Sequence, residues 1–457
     1  MRLSRALLAK RGTPAPAAPV RIAHLGLGAF HRAHQAWYTA NAADGADWGI
    51  AAVAGRSGEL PALLRPQDGL YTLVERGPEG DRFEVVSSIS TVNAADEHVA
   101  FRRVMSAAGT GVVTITVTEA GYAVAPSGGL DLSAPGVASD AARLRALSID
   151  ARPTTMLGRL ALGLELRRLS GAGPIAVVPC DNLPANGAVL RDVLTEFTEH
   201  ALPALARDMP QLACFVSTSV DRITPRVSDT LAAEVQEATG WTDAAPVAAE
   251  PFSDWTLCGE FPAGRPEWES AGALFVDDAE PYELRKLWLL NGAHSILACL
   301  GLLRGRTTIA EAIADRECAA SVEAWWDDAT RNLDRSLRIE EYRAALLQRF
   351  RNPRIEHRLE QISRDGLTKI AVRIVPVALR ERHAGRTADG AAQAIAAWIV
   401  AAEAGILGAD ARASETERAL REGDHVAAML AALDPRLAAD AELTARVREH
   451  ARRLSPV

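Results

Sequence analysis

The chain has few cysteines, and they do not cluster. Five stand far apart, with no CxxC pair among them: Cys180, Cys214, Cys258, Cys299 and Cys318. A dispersed set of odd number is typical of free thiols buried as small apolar side chains in a reducing compartment, and it argues against a disulfide framework. The sequence also lacks HExxH and any clustered Cys/His ligand set of the kind zinc requires. We therefore predict a cytoplasmic protein whose chemistry does not use a metal.

An excess of positive charge and long apolar runs are absent as well. The net charge of -8 at pH 7 leaves no basic footprint for nucleic acid. Residues 1–12 include basic side chains, but their apolar stretch at 6–9 is shorter than the roughly 7–15 residues of a signal-peptide core. No run approaches the ~18 apolar residues of a membrane span. Neither nucleic acid nor a membrane is an expected partner.

The length of the chain, 457 residues, predicts more than one domain, because single cores stop growing near roughly 250–300 residues. After a proline-rich linker at 13–19, apolar runs that favour strands alternate with helix-length segments. These runs are residues 20–25, 50–53, 112–117, 175–178 and 215–220. Such alternation predicts parallel βαβ units with helices on both faces of a sheet.

From about residue 281 onward the sequence changes to long stretches rich in Ala, Leu, Arg and Glu, which predict helices. The predicted fold class is therefore α/β, with a Rossmann-type N-terminal domain and a mainly helical C-terminal domain. We place an N-terminal helix and linker at 1–19, the dinucleotide-binding domain at 20–277 and the helical substrate domain at 278–457.

A glycine-containing loop follows the first predicted strand. Gly26 would permit a tight turn, and Gly28 would let a pyrophosphate approach the backbone at a helix N-terminus. His31 stands where the usual GxGxxG pattern has its third glycine, so an ordinary strand-to-helix turn remains an alternative. Because the loop opens the first βαβ unit, we predict that it binds a dinucleotide through Gly26, Gly28, Phe30, His31 and Arg32.

The end of the second predicted strand should lie near the adenosine ribose of such a cofactor. Folds of this kind place an acid there to bind the ribose hydroxyls, or an arginine where a 2′-phosphate must be held. The residues after the strand offer both Arg56 and Glu59. Spacing alone therefore leaves NAD and NADP open.

Residues 281–295 predict one helix that begins just after the domain boundary. At ~100° per residue, Lys286, His294 and Asn291 lie at roughly 0°, 80° and 140° around it, within one broad arc. The intervening Leu, Trp, Leu and Leu at 287–290 indicate a buried face, on which a desolvated lysine would have the lowered pKa that a general base needs. The alternative is that Lys286 extends to water while Asn291 and His294 bond backbone groups.

Polar residues also follow two later strands. Residues 179–187 come after the strand at 175–178, and ligands of open α/β sheets lie beyond the carboxyl ends of strands. Asn182 is placed there to donate a hydrogen bond to a reacting oxygen, although an asparagine in a loop bounded by Pro and Gly can equally form a turn. The following strand ends in a similar polar cluster that begins at Asp221.

Six stretches together resemble the polyol-specific long-chain dehydrogenases, the family of mannitol 2-dehydrogenase and fructuronate (mannonate) reductase. They are 24–35 (HLGLGAFHRAHQ), 118–122 (TEAGY), 180–187 (CDNLPANG), 220–225 (VDRITP), Lys286 with 290–295 (LNGAHS), and 365–370 (DGLTKI). They occur in the family's order over most of the chain. Each stretch is modest, and the six in order are highly specific.

The resemblance implies a nicotinamide cofactor in the first domain, a helical domain that closes the substrate cleft, and no metal. It implies that Lys286 takes the alcohol proton and that Asn182 and Asn291 form a hydrogen-bonding pair around the reacting oxygen. His294 would position the substrate and the lysine. These roles suit the reaction, because hydride leaves carbon only as the hydroxyl loses its proton.

Glu119, Asp221 and Lys369 are weaker carry-overs, expected to line the substrate cleft or the cofactor edge, and Arg373 is a further candidate for binding substrate. Lys369 or Arg373 would serve a uronate's carboxylate or a neutral polyol's hydroxyls equally well. Where the family has an acidic pair after the second strand, this chain has only Glu59, which favours NAD over NADP. A monomer is expected from the resemblance alone.

The sequence therefore predicts a metal-independent, NAD-dependent oxidoreductase that interconverts a sugar alcohol and its ketose, in the manner of mannitol 2-dehydrogenase. Two alternatives remain. One is a fructuronate (D-mannonate) reductase of the same family, since mannitol, arabinitol and fructuronate enzymes share these motifs. The other is a non-catalytic nucleotide-binding protein that senses redox state, against which the intact set of Lys286, Asn291 and His294 argues.

Overall fold

The structure, a computed structural model, describes residues 1–55, 58–226 and 228–454. The chain forms two units, Met1–Glu280 and Pro281–Val457. The first contains a parallel sheet of the Rossmann type and the second is mainly helical, so the predicted fold class is confirmed.

The strands of the described chain lie in the first unit. They are β1 (Val20–Leu25), β2 (Gly49–Val53), β3 (Tyr71–Gly77), β4 (Gly80–Val86), β5 (Ile89–Asn93), β6 (Val112–Ile115), β7 (Ile175–Pro179), β8 (Ala213–Phe215), β9 (Ser217–Asp221), β10 (Val247–Ala249), β11 (Asp254–Cys258) and β12 (Leu274–Phe275).

The large sheet has the order β5-β2-β1-β6-β7-β8, and its neighbouring strands are parallel. Its strands are short runs rich in Val, Ile and Ala that are buried on both faces, as parallel sheets require. Along β1, for example, Ala23 and Leu25 pack into the core on one face and Ile22 into the core on the other. The strand order reverses between β1 and β6, which makes this the point where ligands bind in such sheets.

Two smaller sheets have the orders β10-β3-β4 and β12-β11-β9. The sequence predicts one strand over 215–220, and the structure has two there. β8 ends the parallel sheet, whereas β9 pairs antiparallel with β11. The amide of Val216, between them, still donates to the carbonyl of Val177, so the chain leaves the large sheet only at Ser217.

The helices of the first unit lie between the strands and before β1. They are α1 (Arg5–Lys10), α2 (Ala29–Ala33), α3 (Gln35–Asn41), α4 (Glu59–Leu64), α5 (His98–Met105), α6 (Val137–Leu147), α7 (Met156–Ser170), α8 (Asn186–Ala201), α9 (Pro203–Leu212) and α10 (Leu231–Thr239).

The second unit is a helical assembly. Its helices are α11 (Glu280–Arg285), α12 (Ala293–Leu303), α13 (Ile309–Ala314), α14 (Arg316–Thr330), α15 (Ile339–Phe350), α16 (Leu359–Ser363), α17 (Gly366–Arg373), α18 (Val375–His383), α19 (Asp389–Glu403), α20 (Ala413–Leu420), α21 (His425–Leu433), α22 (Pro435–Ala439) and α23 (Ala441–Leu454). α12 is buried along residues 293–301 and contacts α14, α16 and α19.

A π-helical segment, Lys286–Gly292, joins α11 to α12, so Glu280–Leu303 is one continuous helix of 24 residues. By length and composition this helix comes closer to a membrane span than the sequence led us to expect. However, 72% of its most apolar window is buried inside the protein, as in the core helix of a folded domain. Burial in the core accounts for its apolar character.

Candidate active site

A cleft of about 900 Å³ opens at the carboxyl ends of β1, β6, β7 and β9. It includes the point between β1 and β6 where the strand order reverses. The predicted site residues that line it are Gly26, Gly28, Phe30, His31, Glu119, Asn182 and Asp221. The fold of the first unit therefore brings most of its predicted residues to one edge of the sheet.

The two glycines of the loop after β1 have different structural requirements. Gly26 has a φ of +110°, and a Cβ there would collide with the carbonyl oxygen of Thr116. Gly28 has an extended backbone, and the nearest atom to its Cβ would be the carbonyl oxygen of Gly26, 3.5 Å away. Gly26 is thus needed for the turn itself. Gly28 instead leaves space beside the backbone within the cleft.

His31 replaces the third glycine and stacks on His24 of β1, with ring centroids 3.3 Å apart and planes 10° apart. His24 Nδ1 lies 2.8 Å from Thr114 Oγ1, and burial lowers the pKa of His24 to about 3. Burial and the neighbouring His24 also hold the pKa of His31 well below its usual value. A side-chain hydrogen bond with Gln35 acts in the opposite direction on this pKa, more weakly than burial and His24. A buried imidazole of low pKa therefore lines the cleft.

Arg32 and Glu59 lie outside the described lining of the cleft. Arg32 is buried, and its guanidinium donates to the carbonyl oxygens of Ala245 and Gly28, which braces the loop from inside the protein. Glu59 is the exposed first residue of α4. Arg56, on which the NADP alternative depends, lies outside the described residues.

The loop after β7 presents Asn182, which is exposed at the cleft. Its neighbour Asp181 accepts hydrogen bonds from the Tyr122 hydroxyl and, at 3.0 Å, from the Leu183 amide. Burial raises the pKa of Asp181. Sequence reasoning missed the roles of Asp181 and Tyr122, although both lie in stretches that carry the family resemblance.

Asn186 joins the same loop to β9. Its Oδ1 accepts from the amide of Thr218 at 2.8 Å, and its Nδ2 donates to the carbonyl of Thr218 at 3.1 Å. Next to it, a Cβ on Gly187 would lie 2.6 Å from the backbone nitrogen of Ser217, so glycine is needed for this close approach. These contacts hold the loop that carries Asn182 against the strand that carries Asp221.

Arg222, which belongs to the predicted polar cluster but whose role was missed, follows Asp221 and has a fully buried side chain. It donates to the carbonyl of Ala33 at 2.7 Å and to the carboxylate of Glu75 at 2.6 Å, and its guanidinium lies over the ring of Trp37. Arg222 therefore ties the end of β9 to α2, the short helix of the glycine loop.

In the second unit, Lys286 and Asn291 lie on the π-helical segment, and the expectation of a regular α-helix over 281–295 is wrong there. π-Helical hydrogen bonds join residues five apart, whereas α-helical bonds join residues four apart. Lys286 and Asn291 are five apart. They are therefore about one turn from each other on the same face, closer than the roughly 140° separation predicted from α-helical geometry.

His294 is buried at the start of α12, 7% exposed, and packs against the rings of Phe350 and His357. Its Nε2 has no hydrogen-bond partner within the described ranges. Burial, followed by the positive potential of His357, Arg349, Arg373 and Lys369, keeps the pKa of His294 well below its usual value. The imidazole is neutral and surrounded by cations.

Lys369 and Arg373 lie one turn apart on α17. Lys369 Nζ donates to the carbonyl of Ile362 at 2.9 Å, and Arg373 Nη1 donates to the carbonyl of Asn291 at 3.1 Å and to Ser295 Oγ at 3.0 Å. Burial lowers the pKa of Arg373 to about 10, and burial together with Arg373 lowers the pKa of Lys369. Asp365 and Asp410 partly offset this lowering of the pKa of Lys369, whereas no carboxylate of the described chain does so for Arg373.

Metal ligands are not grouped. In residues 1–55, 58–226 and 228–454, no three His, Cys, Asp or Glu side chains are arranged so that they could hold a metal ion. The five cysteines are free thiols, and Cys180, Cys299 and Cys318 are buried.

Both units match family models. The mannitol dehydrogenase Rossmann domain matches residues 20–270, and the mannitol dehydrogenase C-terminal domain matches residues 278–454. D-Mannonate oxidoreductase of Escherichia coli (strain K12) is 35% identical over 377 residues, 80% of this chain and 76% of that protein. D-Arabinitol 4-dehydrogenase of Ralstonia nicotianae (strain ATCC BAA-1114 / GMI1000) is 37% identical over 397 residues, 83% of this chain and 81% of that protein.

Solved structures agree with these matches. The ternary complex of Pseudomonas fluorescens mannitol 2-dehydrogenase with NAD and D-mannitol is similar with a TM-score of 0.79 and 31% identity, covering 99% of this chain and 97% of that one. A substrate-free D-sorbitol dehydrogenase is similar with a TM-score of 0.89 and 26% identity, covering 99% of this chain and 98% of that one.

Proposed function

Because this chain belongs to the mannitol dehydrogenase family of oxidoreductases, we propose that it is an NAD-dependent, metal-independent dehydrogenase that interconverts a sugar alcohol and its ketose. The observation that carries the proposal is the cleft at the carboxyl edge of the parallel sheet, where Gly26, Gly28 and Asn182 lie together. That edge is where open α/β sheets bind dinucleotides.

The residues of the cleft fit a dinucleotide. Gly28 leaves its backbone open to a phosphate, and the buried ring of His31 lines the same cleft. We propose that Glu59, at the start of the helix after β2, selects NAD, because a carboxylate binds ribose hydroxyls and repels a 2′-phosphate. When bound, NAD supplies the acceptor for the substrate's hydride. The mannitol 2-dehydrogenase to which this chain is similar was solved with NAD.

Lys286 is the proposed general base. The chain holds 50 lysines and arginines, and the lysines are Lys10, Lys286 and Lys369 alone. An arginine cannot give up its proton at working pH, whereas a lysine in a buried setting can act as a base. An arginine-rich chain that keeps a half-buried lysine at the start of the largely apolar segment Lys286–Gly292 is consistent with an amine that must accept a proton.

The reaction divides among the side chains as follows. The substrate hydroxyl gives its proton to Nζ of Lys286 while the carbon on the same alcohol gives up hydride, so the C–O bond becomes a carbonyl. Asn182 and Asn291 donate hydrogen bonds to this oxygen as negative charge develops on it. His294, neutral and buried, positions the substrate by a hydrogen bond rather than by charge.

A second candidate function, the reduction of a keto sugar acid, is favoured by one observation. Arg373 is a largely buried cation without a carboxylate ion pair in the described chain, and buried charge without a counter-ion is unfavourable. A substrate carboxylate would supply the counter-ion. One relative of this chain is named D-mannonate oxidoreductase.

An absorbance assay with NADH and a panel of D-fructose, D-fructuronate and related ketoses tests both candidates. A kcat/KM for a neutral ketose at least about tenfold above that for fructuronate would support the polyol enzyme, and the reverse would support the sugar-acid enzyme. Tight NADH binding with no turnover of any member would instead favour a non-catalytic redox sensor.

We also propose that the enzyme is a cytoplasmic monomer. The free thiols of all five cysteines are consistent with a reducing compartment. Size measurement in solution, at concentrations around those of the assay, tests the monomer.

A further inference from the structure

Two tryptophans of α14 contact the backbone of the π-helical segment directly. Trp325 Nε1 donates to the carbonyl of Trp288 at 2.8 Å, and Trp326 Nε1 donates to the carbonyl of Leu289 at 2.8 Å. Both indoles are fully buried. Two consecutive carbonyls in the middle of this segment are therefore bound from outside the helix that contains them.

Such support has a physical reason. A π-helical turn is rare and occurs mostly as a single turn within an α-helix, frequently at functional sites. The seven residues Lys286–Gly292 adopt it in the interior of a longer helix, with α-helix on both sides. Rewinding the segment as α-helix would move these carbonyls away from the two buried indoles and leave their N–H groups without acceptors, so the hydrogen bonds stabilise the π-helical winding.

Gly292 makes the contact possible. A Cβ at this position would lie 2.6 Å from Trp325 Nε1 and 2.9 Å from Cε2 of the same ring. The indole of Trp325 therefore lies directly on the backbone of the turn, at a place that a larger residue would occupy. We call Trp325, Trp326 and Gly292 the tryptophan clamp.

The helix that carries the two tryptophans, α14, packs closely against α19. A Cβ on Gly390 of α19 would collide with the carbonyl of Ala324, next to Trp325. The amide of Ala391 donates to Asp328 Oδ2 at 3.0 Å, one turn further along α14. α14 and α19 thus approach closely at the level of the clamp, which fixes the indoles along the helix axis.

Arg373 completes the support from another side. Its Nη1 donates to the carbonyl of Asn291, the next residue but one after Leu289. Three carbonyls of the segment, at 288, 289 and 291, therefore accept hydrogen bonds from side chains of α14 or α17.

We infer that the tryptophan clamp holds the π-helical winding of Lys286–Gly292 and thereby positions Lys286 and Asn291 on one face for proton transfer. The clamp residues are positioning residues, since they act through the backbone of the segment. The inference rests on the proposed function for the roles of Lys286 and Asn291. Without the clamp, the segment would relax towards α-helical winding, in which residues five apart diverge around the axis.

The experiment compares Trp325→Phe, Trp326→Phe and the double variant with wild type. Phenylalanine keeps an aromatic ring and removes the N–H donor. Trp398→Phe is the matched control, because Trp398 is equally buried in the same unit and makes no hydrogen bond to 286–292 in the described chain. Each protein is assayed with NADH and the preferred ketose, with NAD and the matching alcohol across pH, and for NADH affinity by fluorescence.

Each single variant should lower kcat about tenfold and the double variant about 10²-fold, because small displacements of catalytic groups have effects of this size. The ionisation that controls alcohol oxidation should move up, towards the ~10.4 of a free lysine, and NADH affinity should stay within twofold of wild type. Hydrogen exchange at amides 288–293 should become about tenfold faster, and only in the clamp variants. Gly292→Ala, which displaces the Trp325 indole without removing its N–H, should show the same pattern.

Clamp variants that match Trp398→Phe in kcat, pH profile and exchange would overturn the inference. Lys286→Ala shows whether such a result contradicts only the role of the clamp or also the proposed role of Lys286. An inactive Lys286→Ala with normal clamp variants means that only the clamp is wrong. A fully active Lys286→Ala means that the base is wrong, and the exchange of 288–293 then decides the structural role of the clamp by itself.

Discussion

Gly28→Ala tests whether Gly28 is needed for binding the cofactor rather than for folding. Gly28 has φ of -147° and ψ of -172°, an extended conformation that alanine adopts, and its added Cβ would have no neighbour closer than 3.5 Å. The unfolding free energy should therefore change by only about 0.5 kcal/mol. The methyl group would nevertheless occupy the space through which a pyrophosphate approaches the backbone. Losing one charge-assisted hydrogen bond there would weaken NADH binding by about 1.5–3 kcal/mol, or roughly 10–150-fold in Kd.

Fluorescence titration of NADH, beside thermal unfolding, measures both quantities on the same samples. Gly26→Ala should lose stability as well as binding, because its Cβ collides with Thr116 and its φ of +110° is unfavourable for alanine. Gly109→Ala is the control, since nothing lies within 4 Å of its Cβ and it stands before β6, away from the carboxyl edge of the sheet; it should retain both properties. A Gly28→Ala protein that binds NADH within twofold of wild type would refute the assignment of this loop to the cofactor.

Three further outcomes follow from the proposed site. Asn182→Ala and Asn291→Ala should each lower kcat about 10²–10³-fold with a smaller change in KM, by analogy with oxyanion-hole donors, and a change confined to KM in both would make them binding residues. Activity should survive exhaustive treatment with EDTA, and a loss that zinc restores would contradict metal independence. NADH should bind more tightly than NADPH, and Glu59→Gln should narrow the difference; a clear NADPH preference in the wild-type protein would reverse the cofactor assignment.

Strands of the parallel sheet could be predicted from the sequence because each is a short, buried run of apolar residues. The predicted run 20–25 coincides with β1, and the runs 50–53 and 175–178 lie within β2 and β7. The hairpin of β3 and β4, around residues 77–80, was missed. Its strands carry several charged residues that weaken the apolar pattern, although the Gly77-Pro78-Glu79-Gly80 turn is a signal for it.

The π-helical winding and the buried polar pairs could not be predicted, because they depend on contacts between residues far apart in the chain. The π-helical winding at Lys286 depends on two indoles 37 residues away, which no local period shows. Arg222 pairs with Glu75 across 147 residues, and Tyr122 bonds Asp181 across 59. The tertiary fold decides which of these polar side chains are buried and which residues they bond. Their contacts around the cleft could therefore be found only from the structure.

The pH profile of alcohol oxidation by wild type and by Lys286→Ala tests whether Lys286 is the general base. Wild-type kcat should rise with pH through a single ionisation well below the ~10.4 of a free lysine. Lys286→Ala should lose most of the oxidation rate and this ionisation, while NADH affinity, measured on the same preparation, stays nearly unchanged. A Lys286→Ala enzyme with near-normal kcat and the same pH profile would contradict the account and make His294 the next candidate for the base.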